Sequence, residues 1–240
     1  MTGDGLPSTW ESRWIWADHP VAVSPDPLAA GERQVPRDRY CLLRGSVGLT
    51  APARSAWVRA AGDSRFKLYV NGVRVARGPL RSPPDRQPSE LVDVTEHLRP
   101  GHNVVAAVVR FYGTPTSSWI PAPLTLGLGG GCFAAELYVD DRLLLATGGG
   151  WTACLSQAWK PSSHETALSG FLPEDHDARL LPEGWNSPGF DDGDWPAAVV
   201  LDAGDLGSRD RQSAQTVPFG RLPARTVPTL DGRTRTPVRT

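Results

Sequence analysis

The chain has 240 residues, enough for one sizeable core, and its 25 glycines, 23 prolines and nine tryptophans beside 40% hydrophobic residues describe a turn-rich packed globule, not a disordered chain. A net charge of −1 excludes recognition of nucleic acid or an anionic membrane by bulk attraction, and no stretch approaches the ~20 apolar residues of a membrane span. Cys41, Cys132 and Cys154 cannot all pair within one chain and lack the spacing of a zinc site, so buried thiols are expected.

The first residues, Met1 to Pro7, carry neither a basic nor an apolar leader region, which leads to the expectation of a soluble, cytoplasmic protein. Trp10 to Trp16 alternates as a strand should. Pro20, Pro25, Pro27 and Pro36 then predict a loop before a second strand at Arg39 to Arg44. Trp57 to Ala61 reads as a strand pairing beside the hairpin that follows. That hairpin is the clearest local signal: Phe66 to Val70 and Val73 to Val75 alternate around Asn71-Gly72, two residues that tolerate the positive φ of a type I′ turn.

Further along, Asp93 or Thr95 caps a single turn ended by Pro100-Gly101. Val104 to Tyr112 is apolar on both faces as far as Val109, which predicts a central strand covered on each side. Gly113 to Pro121 reads as a loop. Phe133 to Val139 and Leu143 to Thr147 read as another hairpin across Asp140-Asp141-Arg142. Gly148-Gly149-Gly150 would let backbones approach closely before an aromatic anchor, Trp151; a phosphate loop is disfavoured because no Lys-Ser/Thr follows. Beyond Asp205 the chain turns polar and rich in Arg, Pro and Thr, the composition of a linker or tail. The fold expected is all-β, a sandwich of antiparallel strands with long loops, occupying residues 1–205, with 206–240 as linker or tail.

Several motifs in order carry a family resemblance. After the Asn71-Gly72 hairpin come Glu174, Asp177-Ala178-Arg179, Gly184-Trp185 and Phe190-Asp191-Asp192 with Trp195. This series resembles the N-terminal β-sandwich module, of galactose-binding-like jelly-roll type, of bacterial α-L-rhamnosidases, over roughly residues 10–200. The run Pro218 to Pro228 also resembles the segment leading those enzymes into their next module. Such modules commonly have an aromatic just before Asp-Val-Thr; here the chain has Glu90-Leu91-Val92. The resemblance implies a rhamnose-containing glycan or glycoside as partner and a catalytic (α/α)6 barrel in cis or on another chain. An inverting pair of carboxylates in that barrel would stand ~6.5–9.5 Å apart. Nothing in this sequence resembles such a helical barrel, so the chain alone is expected to be inactive.

Candidate site residues have competing readings. Asp191, Asp192 and Asp194 around Gly193 could hold calcium, as related sandwiches often do, or serve an ordinary turn by capping backbone N–H groups; capping is preferred. Glu174, Asp177 and Arg179 could be acid, base and anion clamp, or an Arg–carboxylate pair tying the segment to the sheet, and the latter is preferred. His164, His176, Asp175 and Ser162 lack the Gly-x-Ser-x-Gly elbow of a hydrolytic triad. For sugar, the expected contacts are Trp119 and Tyr112 as aromatic faces with Ser117 and Ser118 as hydrogen-bonding neighbours, against a core role for the ring. Trp57, Trp185 and Trp195 are expected in the core. The arginine excess over Lys67 and Lys160 is read as compositional bias. The function expected is a non-catalytic module of an α-L-rhamnosidase-like glycoside hydrolase that contacts carbohydrate or supports the barrel; a purely structural module and a free-standing lectin-like binder are the alternatives.

Overall fold

A computed structural model describes residues 6–18, 38–83, 86–113, 116, 130–162, 172–201 and 222–229. Its strands are β1 (Ile15–Trp16), β2 (Arg39–Leu49), β3 (Ala56–Asp63), β4 (Arg65–Val70), β5 (Val73–Gly78), β6 (Glu90–Asp93), β7 (Gly101–Phe111), β8 (Cys132–Val139), β9 (Arg142–Ala146), β10 (Trp151–Leu155), β11 (Trp159–Lys160), β12 (Asp175–His176) and β13 (Val199–Val200). All their ladders are antiparallel. One sheet runs β13-β1-β8-β3-β6, with β9 also on β8; the facing sheet runs β10-β2-β7-β4-β5. This is the all-β sandwich read from the sequence.

β7 shows why the sandwich has more than two layers. Val105, Ala107, Val109 and Phe111 point into the core between the sheets, with Phe66, Leu68, Val58 and Phe133. Val104, Ala106 and Val108 point the other way, into a second apolar cluster with Tyr40, Leu42, Trp159 and Trp185. The period-2 alternation of a strand thus serves two cores, which explains a run apolar on both faces. The outer cluster is roofed by residues from 158–195, including Phe190 and Trp195.

The Asn71-Gly72 turn forms, with φ of 50° and 85°. Asn71 also reaches beyond its hairpin: its Nδ2 donates to the His97 carbonyl and to Asn103 Oδ1, and its Oδ1 accepts from Val104 N. Asn103 is fully buried and donates to the Arg99 and Gly101 carbonyls, so the Pro100-Gly101-His102-Asn103 signal is a hydrogen-bonded corner. Asp93 Oδ1 accepts from Thr95 N at 2.9 Å and from Thr95 Oγ1 at 2.6 Å, but the cap position of the short turn is Val94, which makes no side-chain capping bond.

Five expectations are corrected. β3 does not pair beside the hairpin; it lies in the facing sheet between β6 and β8, because the β3–β4 connection crosses between sheets and does not fold back as a hairpin. Of Trp10 to Trp16 only Ile15–Trp16 joins a ladder. The chain from Pro7 to Ser12 is gripped by side chains: Arg59, paired to Glu136 at 2.5 Å, donates to the Pro7 and Thr9 carbonyls, while Glu136 Oε1 accepts from Glu11 N and Ser12 N. The close approach to Trp151 occurs at Gly45, its cross-strand partner, where a Cβ would overlap the indole, and not at Gly148 to Gly150. Trp185 is buried, but Trp57 and Trp195 are only half-buried. Burial pushes the Cys41 and Cys132 thiols up, so both behave as small apolar groups, while Cys154 is half-buried.

Leu222–Thr229 lies beside the edge strand β6. Ala224 forms a parallel bridge with Ser89, and Arg225 pairs with Glu90 at 3.1 Å.

Candidate functional site

The roof over the outer cluster does not cover the whole sheet. Where it stops, an open groove of about 440 Å³ lies over β4, β5 and β7. The alternation of the strands puts Arg65 and Lys67 of β4, Val108 and Arg110 of β7, and Arg77 of β5 along it. Arg81 follows from the loop after β5, and Arg225 comes from the segment beside β6. Glu174 is the one carboxylate among the described residues that line it.

Aromatic rings border the groove, but their faces are taken. Trp159 stacks on Tyr40 at 4.5 Å and on His176 at 4.4 Å. The Arg110 guanidinium lies 5.1 Å from the Tyr40 ring and 4.8 Å from the Tyr112 ring. Arg110 is anchored by Asp38 at 2.6 Å and donates to the Leu172 carbonyl at 2.9 Å. Burial pushes the Tyr40 phenol well up, and its Oη has no hydrogen-bond partner among the described residues. Trp159 Nε1 donates to Glu174 Oε1 at 2.7 Å, so this carboxylate orients the ring stack.

The basic groups differ in how they are balanced. Arg110 is paired to Asp38, and Arg225 to Glu90, whose carboxyl burial raises despite the Arg225 hydrogen bond. Arg65 donates to the Pro79 carbonyl at 2.9 Å. Lys67 and Arg77 face each other across the β4–β5 ladder, and neither they nor Arg81 meet a carboxylate among the described residues. Arg65 likewise lies opposite Arg110 across β4 and β7.

Of the residues singled out for sugar, Tyr112 lines this groove, 9% exposed, whereas Ser117, Ser118 and Trp119 lie outside the described residues, as does His164. The acidic turn does not fit a calcium ion. Asp192 Oδ2 accepts from Thr152 Oγ1 at 2.6 Å and sits 3.1 Å from Arg44 Nε, so a guanidinium stands where a metal would. Partial burial alone would raise the Asp192 carboxyl, yet the Thr152 hydroxyl and Arg44 hold it below the usual range. Asp191 Oδ1 accepts from Gly193 N at 3.0 Å, and Asp194 is exposed. Among the described residues no three acidic, histidine or cysteine side chains cluster to hold a metal.

Arg44 accounts for the Gly184-Trp185 and Phe190-Asp191-Asp192 motifs. Its buried guanidinium donates to the Trp185, Ser187 and Phe190 carbonyls and lies 5.2 Å from the Phe190 ring. The Asp-Ala-Arg motif acts more locally than expected. Asp177 caps the Ala178–Leu180 turn and pairs with Arg179 at 2.7 Å, but Arg179 is 89% exposed and ties nothing to the sheet. The tie is a backbone bond, Asp177 N to the Ala158 carbonyl. Asp175 is exposed, with its carboxylate 3.9 Å from Lys160 Nζ, and Ser162 N donates to Asp38 Oδ2 at 3.1 Å. The groove cations were missed because arginine was read as bias; the Arg65-x-Lys67 alternation was the available signal.

Similarity to known proteins agrees with this architecture. A curated α-L-rhamnosidase of Streptomyces avermitilis is 26% identical over 83% of this chain and 17% of its own length. The GH78 family rhamnosidase of Bacillus sp. GL1 superposes with a TM-score of 0.73 at 29% identity, covering 92% of this chain and 20% of that one. The α-L-rhamnosidase of Dictyoglumus thermophilum gives 0.64 at 19% identity, over 91% and 22%, a likeness of fold. The chain therefore spans about a fifth of the length of these relatives. The α-L-rhamnosidase N-terminal domain family matches residues 51–218, well over half of the sequence and every strand from β3 to β13, and the chain belongs to that family.

Proposed function

We propose that this chain is a non-catalytic accessory module of an α-L-rhamnosidase-like glycoside hydrolase, which contacts the rhamnose-containing glycan through the groove over β4, β5 and β7. The observation that carries this reading is the groove itself, an open concavity in which basic side chains stand over an apolar floor and whose one carboxylate among the described lining residues, Glu174, is already bonded to Trp159. Glycoside hydrolysis of the ordinary kind needs two carboxylates flanking the bond, so a groove of this composition favours holding a saccharide over cleaving it. Residues 1–205 are read as the module and 206–240 as the passage toward a catalytic barrel. Trp119, Ser117 and Ser118 follow closely after groove-lining Tyr112 in the chain and are retained as further sugar contacts.

The purely structural reading has its own support. The motif residues Asp177, Trp185 and Asp192 are all engaged in internal bonds or packing. Titrating a rhamnose-containing oligosaccharide into the full chain, followed by amide NMR shifts, separates the two. Shifts centred on Lys67, Arg77 and Val108 are expected; shifts elsewhere, or none, would remove the groove from the reading. In parallel, an aryl α-L-rhamnoside should show no turnover above buffer, and activity lost on Glu174→Gln would overturn the non-catalytic assignment.

A further inference from the structure

The geometry points to an acidic saccharide, one presenting a uronate carboxylate, as the ligand of this groove. The inference rests on the reading above that the groove receives saccharide, and it specifies which class.

Three observations carry it. The described residues lining the groove include six basic side chains, Arg65, Lys67, Arg77, Arg81, Arg110 and Arg225, against the single carboxylate of Glu174. Two like-charged pairs stand directly opposite on adjacent strands, Lys67 with Arg77 and Arg65 with Arg110. Such pairing disfavours a sheet, and a chain with net charge −1 has no general excess of cations to place there. Of these groups Arg110 and Arg225 are neutralised by Asp38 and Glu90, while Lys67, Arg77 and Arg81 line the groove and meet no carboxylate among the described residues.

The third observation concerns what the groove lacks. Neutral sugars are commonly held by laying a C–H face on an open ring, but both faces of Trp159 are stacked, and Arg110 lies against Tyr40 and Tyr112. The apolar floor, formed by Phe66, Pro79, Leu80 and Val108, offers no open ring face, Phe66 being 3% exposed. Recognition here falls to charge and hydrogen bonding. A planar carboxylate is matched by a guanidinium fork, which Arg77 and Arg81 supply, with the Lys67 ammonium as a mobile partner. Glu174, also in the lining, is suited to accept from sugar hydroxyls.

Calorimetric titration of the full chain with a short galacturonate oligomer, with its methyl ester, and with inorganic phosphate tests this. The acid should bind about tenfold or more tightly than its ester, and its affinity should fall as salt rises from about 50 to about 300 mM, where screening lengths shorten below the groove's dimensions. Lys67→Gln with Arg77→Gln should abolish the difference between acid and ester while leaving the melting temperature equal or higher, since a like-charge pair is relieved. Equal binding of acid and ester would overturn the charge inference and leave the saccharide reading standing. Phosphate competing as well as the oligomer at equal concentration would mean a bare anion site and overturn it too. Failure of every saccharide to bind would sink both readings of the groove together.

Discussion

Replacing Arg44 by methionine tests whether the roof segment is held on the sheet by one side chain. The Arg44 side chain is 1% exposed, and its loss strands three carbonyls and the Asp192 carboxylate, which is 26% exposed. Breaking a buried charge from its partners costs about 3–5 kcal/mol, and because Asp192 can recover some water the lower end applies. For a domain of this size each kcal/mol moves the melting point by about 2–4 °C, so a drop of about 6–12 °C is expected. Circular dichroism reports the sheet and tryptophan fluorescence reports Trp185, and both should fall together. Arg44→Lys keeps the charge without the planar fork and should recover only part of the loss. The reasoning is refuted if Arg44→Met melts within about 2 °C of the parent. Strict additivity with Asp192→Asn would show that the ion pair itself contributes nothing.

Gly45→Ala should destabilise by about 1–3 kcal/mol, read by chemical denaturation, because its Cβ overlaps Trp151 in a packed core. Gly72→Val should lower the melting temperature clearly: φ is 85°, costing about 1–2 kcal/mol for a residue with a Cβ, and that Cβ would lie 2.6 Å from Ser187 Oγ. Asp192 is held below its ordinary value of 3.8, so the folded state binds fewer protons than the unfolded one; its stabilisation is present above pH 3.8 and is lost as pH falls through the lowered value, and Asp192→Asn should flatten that acid limb in melts taken across pH. Trp119→Ala should weaken saccharide binding with the melting temperature kept if the ring meets sugar; a loss of about 3–5 kcal/mol in stability instead would place it in the core.

The parts of the fold legible in the sequence are those specified by neighbours in the chain. Asn71-Gly72 dictates its turn through backbone sterics alone, and the double-faced apolar run of β7 announces cover on both sides. β3 was misplaced because nothing within Trp57 to Ala61 records which sheet it joins; that is decided by its pairing with Leu91 and Glu136, 32 and 77 residues from Arg59 respectively. Gly45 is silent in sequence for the same reason, since its constraint is an indole on another strand. The acidic turn was ambiguous because its partner, Arg44, lies far upstream. The groove is the extreme case: its basic residues come from β4, β5, β7, a loop and the segment beside β6, so only the local Arg65-x-Lys67 pattern hinted at it.

The two-sided cover of β7 has a consequence for how the protein opens. The inner core is closed by the two sheets with Trp10, Trp14, Leu201 and Leu222 from the segments beside them, whereas the outer cluster depends on the roof segment, whose regular pairing among the described residues is the two-residue ribbon of β11 and β12. Opening of the roof leaves the sandwich intact, while opening of the sandwich removes the surface on which the roof rests. The free energies of local opening should therefore be nested, with amides of residues 175–190 exchanging with solvent through a partial opening and those of β7 only through global unfolding. The groove lies on the seam between these two cooperative units, at Tyr40, Trp159 and Glu174, so a ligand seated there bridges both and would slow exchange in the roof more than in the sheet.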